Sequence, residues 1–326
     1  MNELYSFLLF IVLLFLYIHI ADQYKTGEDL EIYEMDYSTN THLQTVCDVK
    51  QPVLFDYQSI CPEFFENIAL RGAADIQVKE SNDYWNTEDP VESISLPAES
   101  AVSLLSTDTR SQYISENNES YLIESGIAGL YSVNDEYLKP HFVCQTKLDI
   151  MTGSKRANTP LRYHMDFRQF IIVQSGKMRV KMTPWKSRKY LYPIKDYENF
   201  DFRSPINVWN PQHKYLHEMD RVKFLEFEVV QGQVLVIPPY WWYSIQYTEP
   251  NTILSSITYR TFMNGLANTP EYILYFFQQQ NTRTHVAKVL VLPEIKEDES
   301  DNSGTTEDKP VDVTPIQQSI NLLTVK

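Results

Sequence analysis

A succession of short strand-like segments between residues 141 and 263 is the feature that most constrains the fold of this chain. The segments are rich in β-branched and aromatic residues, and turn sequences at 175–176, 231–232 and 249–251 separate them. Short strands joined by tight turns, without long helices between them, are typical of an antiparallel sandwich or jelly roll. The sequence therefore predicts a mainly β domain with flanking helices.

An apolar stretch opens the chain. Residues 4–20 carry no charged side chain, and as a helix they would span roughly 25 Å, against roughly 30 Å for a hydrocarbon core. Tyr5 and Tyr17 lie near the two ends, where membrane-interface rings are favoured. A cleaved signal peptide and a buried core helix are the alternatives. The absence of basic residues before the stretch argues against the signal peptide. We predict a transmembrane helix over 1–20 that contacts lipid through residues 4–20, in a single-pass membrane protein of unspecified orientation.

Composition shifts divide the rest of the chain. Residues 21–43 are polar and acidic, which is typical of a juxtamembrane stalk. Strand-like and helical patterns continue over 44–290, which we take as one domain, and helical spacing of apolar residues follows Pro270. Residues 291–326 are acidic and predict a disordered tail.

Net charge and motif content exclude several classes of function. The chain has 28 Lys and Arg residues against 43 Asp and Glu residues, a formal charge of −15. Because a phosphate backbone would be repelled by such a surface, we expect no nucleic-acid partner. The sequence also lacks GxGxxG, P-loop, GxSxG and HExxH motifs, so nucleotide-binding and hydrolase readings have no support.

Two segments carry a resemblance to a known family. The first is TPLRYHMD at 159–166, which leads into a strand and the turn QSGK at 174–177. The second is GQVLVIPPYWWY at 232–243. Their order and spacing resemble the cupin-like/JmjC superfamily, which implies a double-stranded β-helix over roughly 45–285. The stretch DYENFDFRSPINVWNPQ at 196–212 further resembles membrane-anchored cupin-like proteins of large DNA viruses, which implies a virion or host membrane.

Enzymes of this superfamily hold Fe(II) with a His-x-Asp pair and a distal histidine, and they bind 2-oxoglutarate beside it. The resemblance implies His164 and Asp166 as two metal ligands, and it leaves Tyr243 where the distal histidine belongs. A phenol binds iron well only as phenolate, a hard anion that favours the ferric state. The predicted His/Asp/Tyr set is therefore a degenerate metal site.

A second alignment places the motif two residues earlier. If Thr159 and Pro160 are aligned with the family first, the His-x-Asp positions fall on Arg162 and His164. An arginine cannot bind a metal, because it has no acceptor atom. The sequence leaves both alignments open. A third reading makes His164 and Asp166 a hydrogen-bonded core pair without a metal.

The resemblance also implies sites for an anion and for a ligand beside the metal. The candidates for holding 2-oxoglutarate or another anion are Thr159, Lys177, Lys181 and Arg260. Three aromatic residues, Tyr240, Trp241 and Trp242, are candidates for a pocket rim, although tryptophans of this kind more often pack inside a barrel.

These observations favour a non-catalytic binding or structural protein that is tethered to a membrane, docks an unknown protein partner and needs no cofactor. The alternative is an Fe(II)/2-oxoglutarate-dependent hydroxylase with an atypical His164/Asp166/Tyr243 site. A cupin that binds a sugar or another small molecule at the tryptophan rim is a third hypothesis.

Overall fold

The computed structural model describes residues 2–66, 68–86 and 90–280. The acidic tail predicted at 291–326 lies outside the described residues, as does the end of the domain predicted to reach residue 290. The helices are α1 Asn2–Gln23, α2 Asn40–Cys47, α3 Glu63–Glu66, α4 Asp83–Asn86, α5 Ala98–Thr107, α6 Glu119–Glu124, α7 Ala128–Tyr131, α8 Asp135–Leu138, α9 Leu216–Met219, α10 Phe262–Ala267 and α11 Thr269–Gln280. Short 3₁₀ helices lie at Ser132–Asn134, Trp185–Tyr190 and His213–Tyr215.

The strands supply most of the regular structure between residues 143 and 261. They are β1 Tyr33–Glu34, β2 Val53–Asp56, β3 Asp75–Glu80, β4 Ile94–Pro97, β5 Tyr113–Ser115, β6 Val143–Gly153, β7 Arg162–Tyr163, β8 Arg168–Ser175, β9 Lys177–Thr183, β10 Ile194–Asp196, β11 Asp201–Arg203, β12 Leu225–Val230, β13 Gln233–Ile237, β14 Trp242–Tyr247 and β15 Ile253–Thr261.

The strands form two sheets. One has nine strands in the order β1-β2-β13-β8-β15-β6-β5-β3-β4, and the other has six in the order β10-β11-β7-β14-β9-β12. Every strand pair is antiparallel except β1 with β2. Two facing antiparallel sheets with helices outside are the jelly-roll arrangement that the strand pattern predicts. The predicted fold class is confirmed.

The turns that punctuate the sequence carry the chain from one sheet to the other. Between β8 and β9 the chain turns at Gly176, whose φ of 73° lies in the left-handed region. A Cβ there would stand 2.5 Å from the Thr252 hydroxyl oxygen, so only glycine fits. The chain changes sheet in the same way between β12 and β13 and between β14 and β15. This alternation is what winds two sheets into a closed, double-stranded structure.

Apolar side chains fill the space between the two sheets. Alternation along each strand sends one set of residues inward. The inward set includes Ile171, Val173 and Leu235 of the large sheet, with Val180 and Ile245 of the small sheet. A second core lies where helices such as α2, α5 and α6 cover the large sheet. Because both sheets bury a face in this way, the barrel holds a fixed shape around its interior.

The segment before the barrel is partly built into it. Tyr33 and Glu34, within the 21–43 segment predicted as a stalk, pair in parallel with Val53 and Leu54 of β2. Thr39 then caps α2, its hydroxyl accepting the His42 N–H at 3.2 Å. These contacts tie residues 33–43 to the domain edge.

Helix α1 stands apart from both cores. It is long and apolar enough to cross a membrane, and none of its most apolar window is buried. Signal sequences near an N-terminus pass the same test of length and composition. The structure therefore contains the N-terminal apolar helix that the sequence predicts, as a candidate membrane span.

Candidate functional site

The interior of the jelly roll opens into a cavity of about 410 Å³ at the end of strands β7 and β14. Arg162 of β7 and Tyr243 of β14 are direct partners across the antiparallel pair, and both line the cavity. Residues directly opposite each other in such a pair have Cβ atoms only about 5 Å apart. Arg162 and Tyr243 are thus the two side chains that the small sheet brings face to face.

Arg162 is held by a buried carboxylate. Its Nη1 lies 3.1 Å from Oε1 of Glu116, and its Nη2 contacts Oε2 of the same group, which makes a bidentate pair. Glu116 also accepts from the Lys79 ammonium at 3.3 Å and from the Tyr84 hydroxyl at 2.9 Å. Asp201 lies 4.0 Å from the same guanidinium. We call Lys79, Tyr84, Glu116, Arg162 and Asp201 the inner charge network.

Burial and neighbouring charges shift the pKa values of the groups in the inner charge network. Burial of Glu116 favours its neutral form, but the neighbouring Arg162 and Lys79 outweigh it and hold the carboxyl pKa well below its usual range. Burial raises the pKa of the Asp201 carboxyl, and Arg162 opposes that shift. Burial likewise raises the pKa of the Tyr243 phenol, so this hydroxyl stays neutral near pH 7. Glu116 and Arg162 therefore remain a charged pair over the physiological range.

His164 follows β7 and lines the same cavity. Its Nε2 lies 3.0 Å from the Ile237 carbonyl oxygen, an acceptor, so Nε2 carries the proton. Its Nδ1 is buried without a hydrogen-bond partner. Burial lowers the pKa of the imidazole, which therefore stays neutral near pH 7. The His164 and Tyr243 ring centroids are 6.4 Å apart.

Asp166 lines the same cavity, but its carboxylate is bound by Arg260. Its Oδ1 accepts from Nε and Nη2 of Arg260 at 2.9 and 2.6 Å, and Arg260 also donates to Gln145 at 2.7 Å. The hydrogen-bond partners of His164 and Asp166 therefore differ, and the two side chains do not form the core pair that the sequence offered as one reading. Arg260, a candidate for holding an anion, already neutralises Asp166.

The other anion candidates point away from the cavity. Thr159 is fully buried, and its hydroxyl accepts the Ile245 N–H at 2.9 Å as part of the packing between strands. Lys177 lies 3.8 and 3.7 Å from Glu228 and Glu249. Lys181 donates to the Val208 carbonyl at 3.1 Å. Because their β9 neighbours Met178, Val180 and Met182 face inward, these lysines lie on the outer face.

The aromatic trio separates into two environments. Trp241 and Trp242 are both fully buried, Trp241 in the core between the sheets and Trp242 in an aromatic cluster below the small sheet. The Trp241 indole donates to the Lys50 carbonyl at 3.0 Å. Tyr240 lines a different cavity and donates to Asn268 at 3.1 Å. The tryptophans are therefore packing residues rather than a rim, because each ring is buried in an apolar cluster.

The donor set of the inner cavity does not fit a ferrous ion. A facial site needs two imidazoles and a carboxylate aimed at one point. Among the described residues, no group of three or more His, Cys, Asp or Glu side chains could hold a metal. Where β7 and β14 pair, the facing groups are the Arg162 guanidinium, which cannot bind a metal, and the neutral Tyr243 phenol.

Sequence reasoning missed the other members of the inner charge network. Lys79, Tyr84 and Glu116 come from a region, 79–121, whose polar composition predicts surface loops. In the structure this region supplies β5 and buries Glu116 beside the barrel opening. The one available signal was Arg162 itself, since a buried arginine requires a carboxylate. Nothing in the sequence identifies which of 43 acidic residues that is.

Comparison with known proteins places this geometry in a family. The sequence profile of the cupin-like domain matches residues 82–265. HSPB1-associated protein 1 of Rattus norvegicus is 28% identical over 102 residues, and the protein of Homo sapiens has the same values. JmjC domain-containing protein D of Dictyostelium discoideum is 26% identical over 100 residues. These matches cover 31% of this chain but only 21% and 22% of the lengths of the relatives.

Proposed function

Because this chain belongs to the cupin-like domain family, we propose that it is a membrane-anchored member whose former metal position is occupied by an internal ion pair, and that it acts by binding rather than by catalysis. Members of the family commonly use Fe(II) and 2-oxoglutarate. The proposal therefore rests on what stands where those groups would be held. One observation carries it: Arg162 faces Tyr243 across β7 and β14 and is bound by Glu116.

The facing of Arg162 and Tyr243 supports the second of the two alignments. The first ligand and the distal histidine of an enzyme must converge on one ion, so they must come from positions that face each other across neighbouring strands. Tyr243 stands at the distal position, and the residue opposite it is Arg162. His164, two residues on, then takes the place of the carboxylate. On this alignment the site retains one metal-binding side chain.

Charge reinforces this argument. A guanidinium is permanently cationic, and a divalent ion beside Arg162 would meet repulsion in a cavity where water screens little. Glu116, which would have to compensate, already accepts hydrogen bonds from Arg162, Lys79 and Tyr84. Glu116 is therefore already engaged without a cation.

The alternative of a His164/Asp166/Tyr243 hydroxylase meets two obstacles. Asp166 would have to give up two hydrogen bonds from Arg260 before it could bind a metal. Tyr243 would have to lose its proton although burial raises its pKa. Both changes cost free energy. Metal binding by His164, the one ligand that is free to bind, would have to offset that cost.

Anchoring through α1 and a protein partner for the exposed face of the domain complete the proposal. The apolar, unburied character of α1 supports the anchor. The virion or host-membrane setting that the sequence resemblance implies remains a prediction, and the relatives compared above come from animals and a slime mould. The name of the mammalian relative describes an association with HSPB1, which we do not transfer to this chain.

Turnover of 2-oxoglutarate tests the catalytic part of the proposal. The full chain, purified in mild detergent, is incubated with Fe(II), ascorbate and 2-oxoglutarate, and succinate is quantified by mass spectrometry. We expect no succinate above that of a Glu116→Ala control, in which the network is broken. Succinate formation that is lost in both His164→Ala and Asp166→Ala would overturn the proposal and establish the hydroxylase.

A further inference from the structure

The last turns of α1 are the part of that helix that touches the domain. Helix α1 contacts α10, and the side chains turned toward the domain, Leu16, Ile20 and Gln23, recur at helical spacing. The Tyr24 hydroxyl, directly after α1, donates to the Ala267 carbonyl at the end of α10. The end of the candidate membrane span is thus fixed against α10, which leads directly into α11.

The α10–α11 segment presents apolar side chains to the outside. Phe262 and Phe277 are 65% and 63% exposed, and the set also includes Leu266, Ile273, Leu274 and Phe276. Phe142, which is 89% exposed, adjoins them, since its carbonyl accepts the Phe262 N–H at 3.3 Å. A patch of this kind beside a domain core marks an interaction site. We call these seven residues the apolar ridge.

The opposite side of α11 accounts for why the ridge faces outward. Glu271 pairs with the Lys195 ammonium at 2.9 Å, and Tyr272 stacks on Phe200. Further along, Gln279 donates to the Glu198 carbonyl at 2.8 Å. These contacts fix the rotation of α11, so the apolar ridge is held away from the barrel and is not a loosely packed end.

A second cavity, of about 620 Å³, lies between the end of α1 and the start of α11. Tyr24 and Asn268 are on its wall, and its aromatic lining comes from Tyr163, Trp185 and Tyr240. We call it the outer cavity. The outer cavity therefore adjoins both the end of the candidate membrane span and the start of α11, the helix that carries most of the apolar ridge.

Three basic residues line the outer cavity: Arg188, Lys189 and Lys195. Arg188 lies over the Trp185 ring at 4.9 Å and Lys189 over the Tyr190 ring at 4.9 Å. Within the described part of the chain, neither forms an ion pair with a carboxylate, and Glu271 is the only acid on the cavity wall. In a chain with a net charge of −15, this is a local excess of positive charge.

We propose that the apolar ridge lies in the membrane interface beside the end of α1, and that the outer cavity takes the phosphate-bearing headgroup of an anionic phospholipid. The inference rests on the anchoring proposed above for α1. Both parts follow from one geometry, because a surface that continues a membrane span is the surface that faces lipid. Aromatic and apolar residues bordered by cations are the composition that such interfacial elements need.

The depth of the contact agrees with an interfacial position. The contacting stretch of α1 from Leu16 to Gln23 rises about 10 Å along the helix axis. Amphipathic helices insert their apolar face about 5–10 Å into the boundary between headgroups and acyl chains. A ridge held against the last two turns of a span would therefore sit at that boundary.

Depth-dependent quenching tests the ridge. The full chain carrying Cys144→Ser is labelled with bimane at Phe276→Cys or, as the matched control, at Ile123→Cys, which is equally exposed on α6. Both are reconstituted into vesicles of phosphatidylcholine and phosphatidylserine containing nitroxide lipids. We expect quenching at position 276 at least about threefold above that at 123, as a label at the interface requires.

Flotation of the same vesicles separates the two proposals. If the chain floats with the vesicles after alkaline washing but positions 276 and 123 are quenched equally, anchoring stands and the interfacial ridge is wrong. If the chain does not float, both proposals fail.

Lipid that co-purifies with the chain tests the headgroup site. From membranes containing phosphatidylserine, we expect that lipid to be enriched over phosphatidylcholine around the full chain. The triple variant Arg188→Gln, Lys189→Gln, Lys195→Gln should lower the enrichment at least about fivefold, the effect of roughly one basic residue near the surface. The control triple Arg71→Gln, Arg110→Gln, Lys155→Gln removes the same charge from exposed positions elsewhere. An equal loss in both triples, or no loss in the first, would overturn the headgroup site.

Discussion

The inner charge network and the outer cavity both contain charged side chains, but they differ in how deeply those side chains are buried and in how they are paired. In the network, the buried Glu116 forms an ion pair with Arg162, whose side chain is 13% exposed. In the outer cavity, Arg188 and Lys189 are exposed and rest on aromatic rings. Glu116 accepts hydrogen bonds from three donors within the network, whereas Arg188 and Lys189 form no ion pair with any described carboxylate. The contrast supports the proposal that ligands bind at the surface beside α1.

The contrast also has an energetic side. Removing one member of a buried ion pair leaves an uncompensated charge, which costs far more than the pair contributes. Surface cations are solvated, and their loss changes stability little. Substitutions in the inner network should therefore lower the free energy of unfolding. Substitutions in the outer cavity should reduce lipid binding and change the free energy of unfolding little.

The largest effect is expected for Glu116→Gln. Because Glu116 is the common partner of Arg162 and Lys79, its neutralisation leaves two buried cations, and the free energy of unfolding should fall by about 3–5 kcal/mol. Urea unfolding followed by circular dichroism measures this. Glu124→Gln, an exposed change of the same kind, should have no measurable effect. If Glu116→Gln lowers the free energy of unfolding by less than about 1 kcal/mol, the inner network contributes no more to stability than surface charges do, and the comparison fails.

A pH effect at Asp149, on the wall of the inner cavity, comes next. Burial raises the pKa of this carboxyl from 3.8 to about 6, although backbone N–H groups of Asn118 and Asn117 oppose the shift. The folded state therefore binds the proton more tightly. This contribution to stability is complete below pH 3.8 and is lost as the pH rises through 6. Its size is at most about 3 kcal/mol.

Comparison with Asp149→Asn isolates this contribution. The variant loses a backbone contact and is less stable overall, but the difference in unfolding free energy from wild type should narrow as the pH rises from 4 to 7. A difference that is constant over this range would show that Asp149 has an ordinary pKa and that the cavity is more hydrated than its burial indicates.

Tyr243→Phe should have a smaller effect. The phenol is buried and neutral, so its removal forfeits at most one hydrogen bond, about 1 kcal/mol of unfolding free energy. Thermal unfolding with and without added Fe(II) is the measurement. We expect the same shift in both conditions. A stabilisation by Fe(II) in wild type that disappears in the variant would indicate a phenolate ligand instead.

The smallest effect on stability is expected for the outer cavity. The triple variant Arg188→Gln, Lys189→Gln, Lys195→Gln should change the free energy of unfolding in detergent by less than about 1 kcal/mol, since only Lys195 forms an ion pair. Urea unfolding beside the Arg71/Arg110/Lys155 control triple measures it. A loss comparable to that of Glu116→Gln would show that these cations are structural.

The barrel could be predicted from the sequence because local signals define it. Strands such as β8, β9 and β13 are continuous runs of strand-forming residues, and the glycines between them stand where the chain changes sheet. Hydrophobic alternation and turn chemistry act over a few residues, so one sequence reveals them. The same holds for α1, whose composition alone marks it as a candidate span.

The sites could not be predicted to the same extent because their partners are distant in sequence. Glu116 and Arg162 are 46 residues apart, and Arg260 reaches Asp166 over 94 residues. Lys181 was a candidate on residue type, but the strand register places it on the outer face. Burial of Trp241 and Trp242 depends likewise on the backbone direction at the start of β14, which sends the two rings into different cores. Such facts depend on tertiary packing, which local pattern does not encode.

Metal binding tests the central claim most directly. The purified full chain is titrated anaerobically with Fe(II) in a calorimeter. A variant carrying Arg162→His, His164→Asp and Tyr243→His is titrated beside it, because these changes restore two imidazoles and a carboxylate where β7 and β14 pair. We predict no saturable binding by wild type and one-to-one binding by the variant. One-to-one binding by wild type that is abolished in His164→Ala or Asp166→Ala would contradict the account.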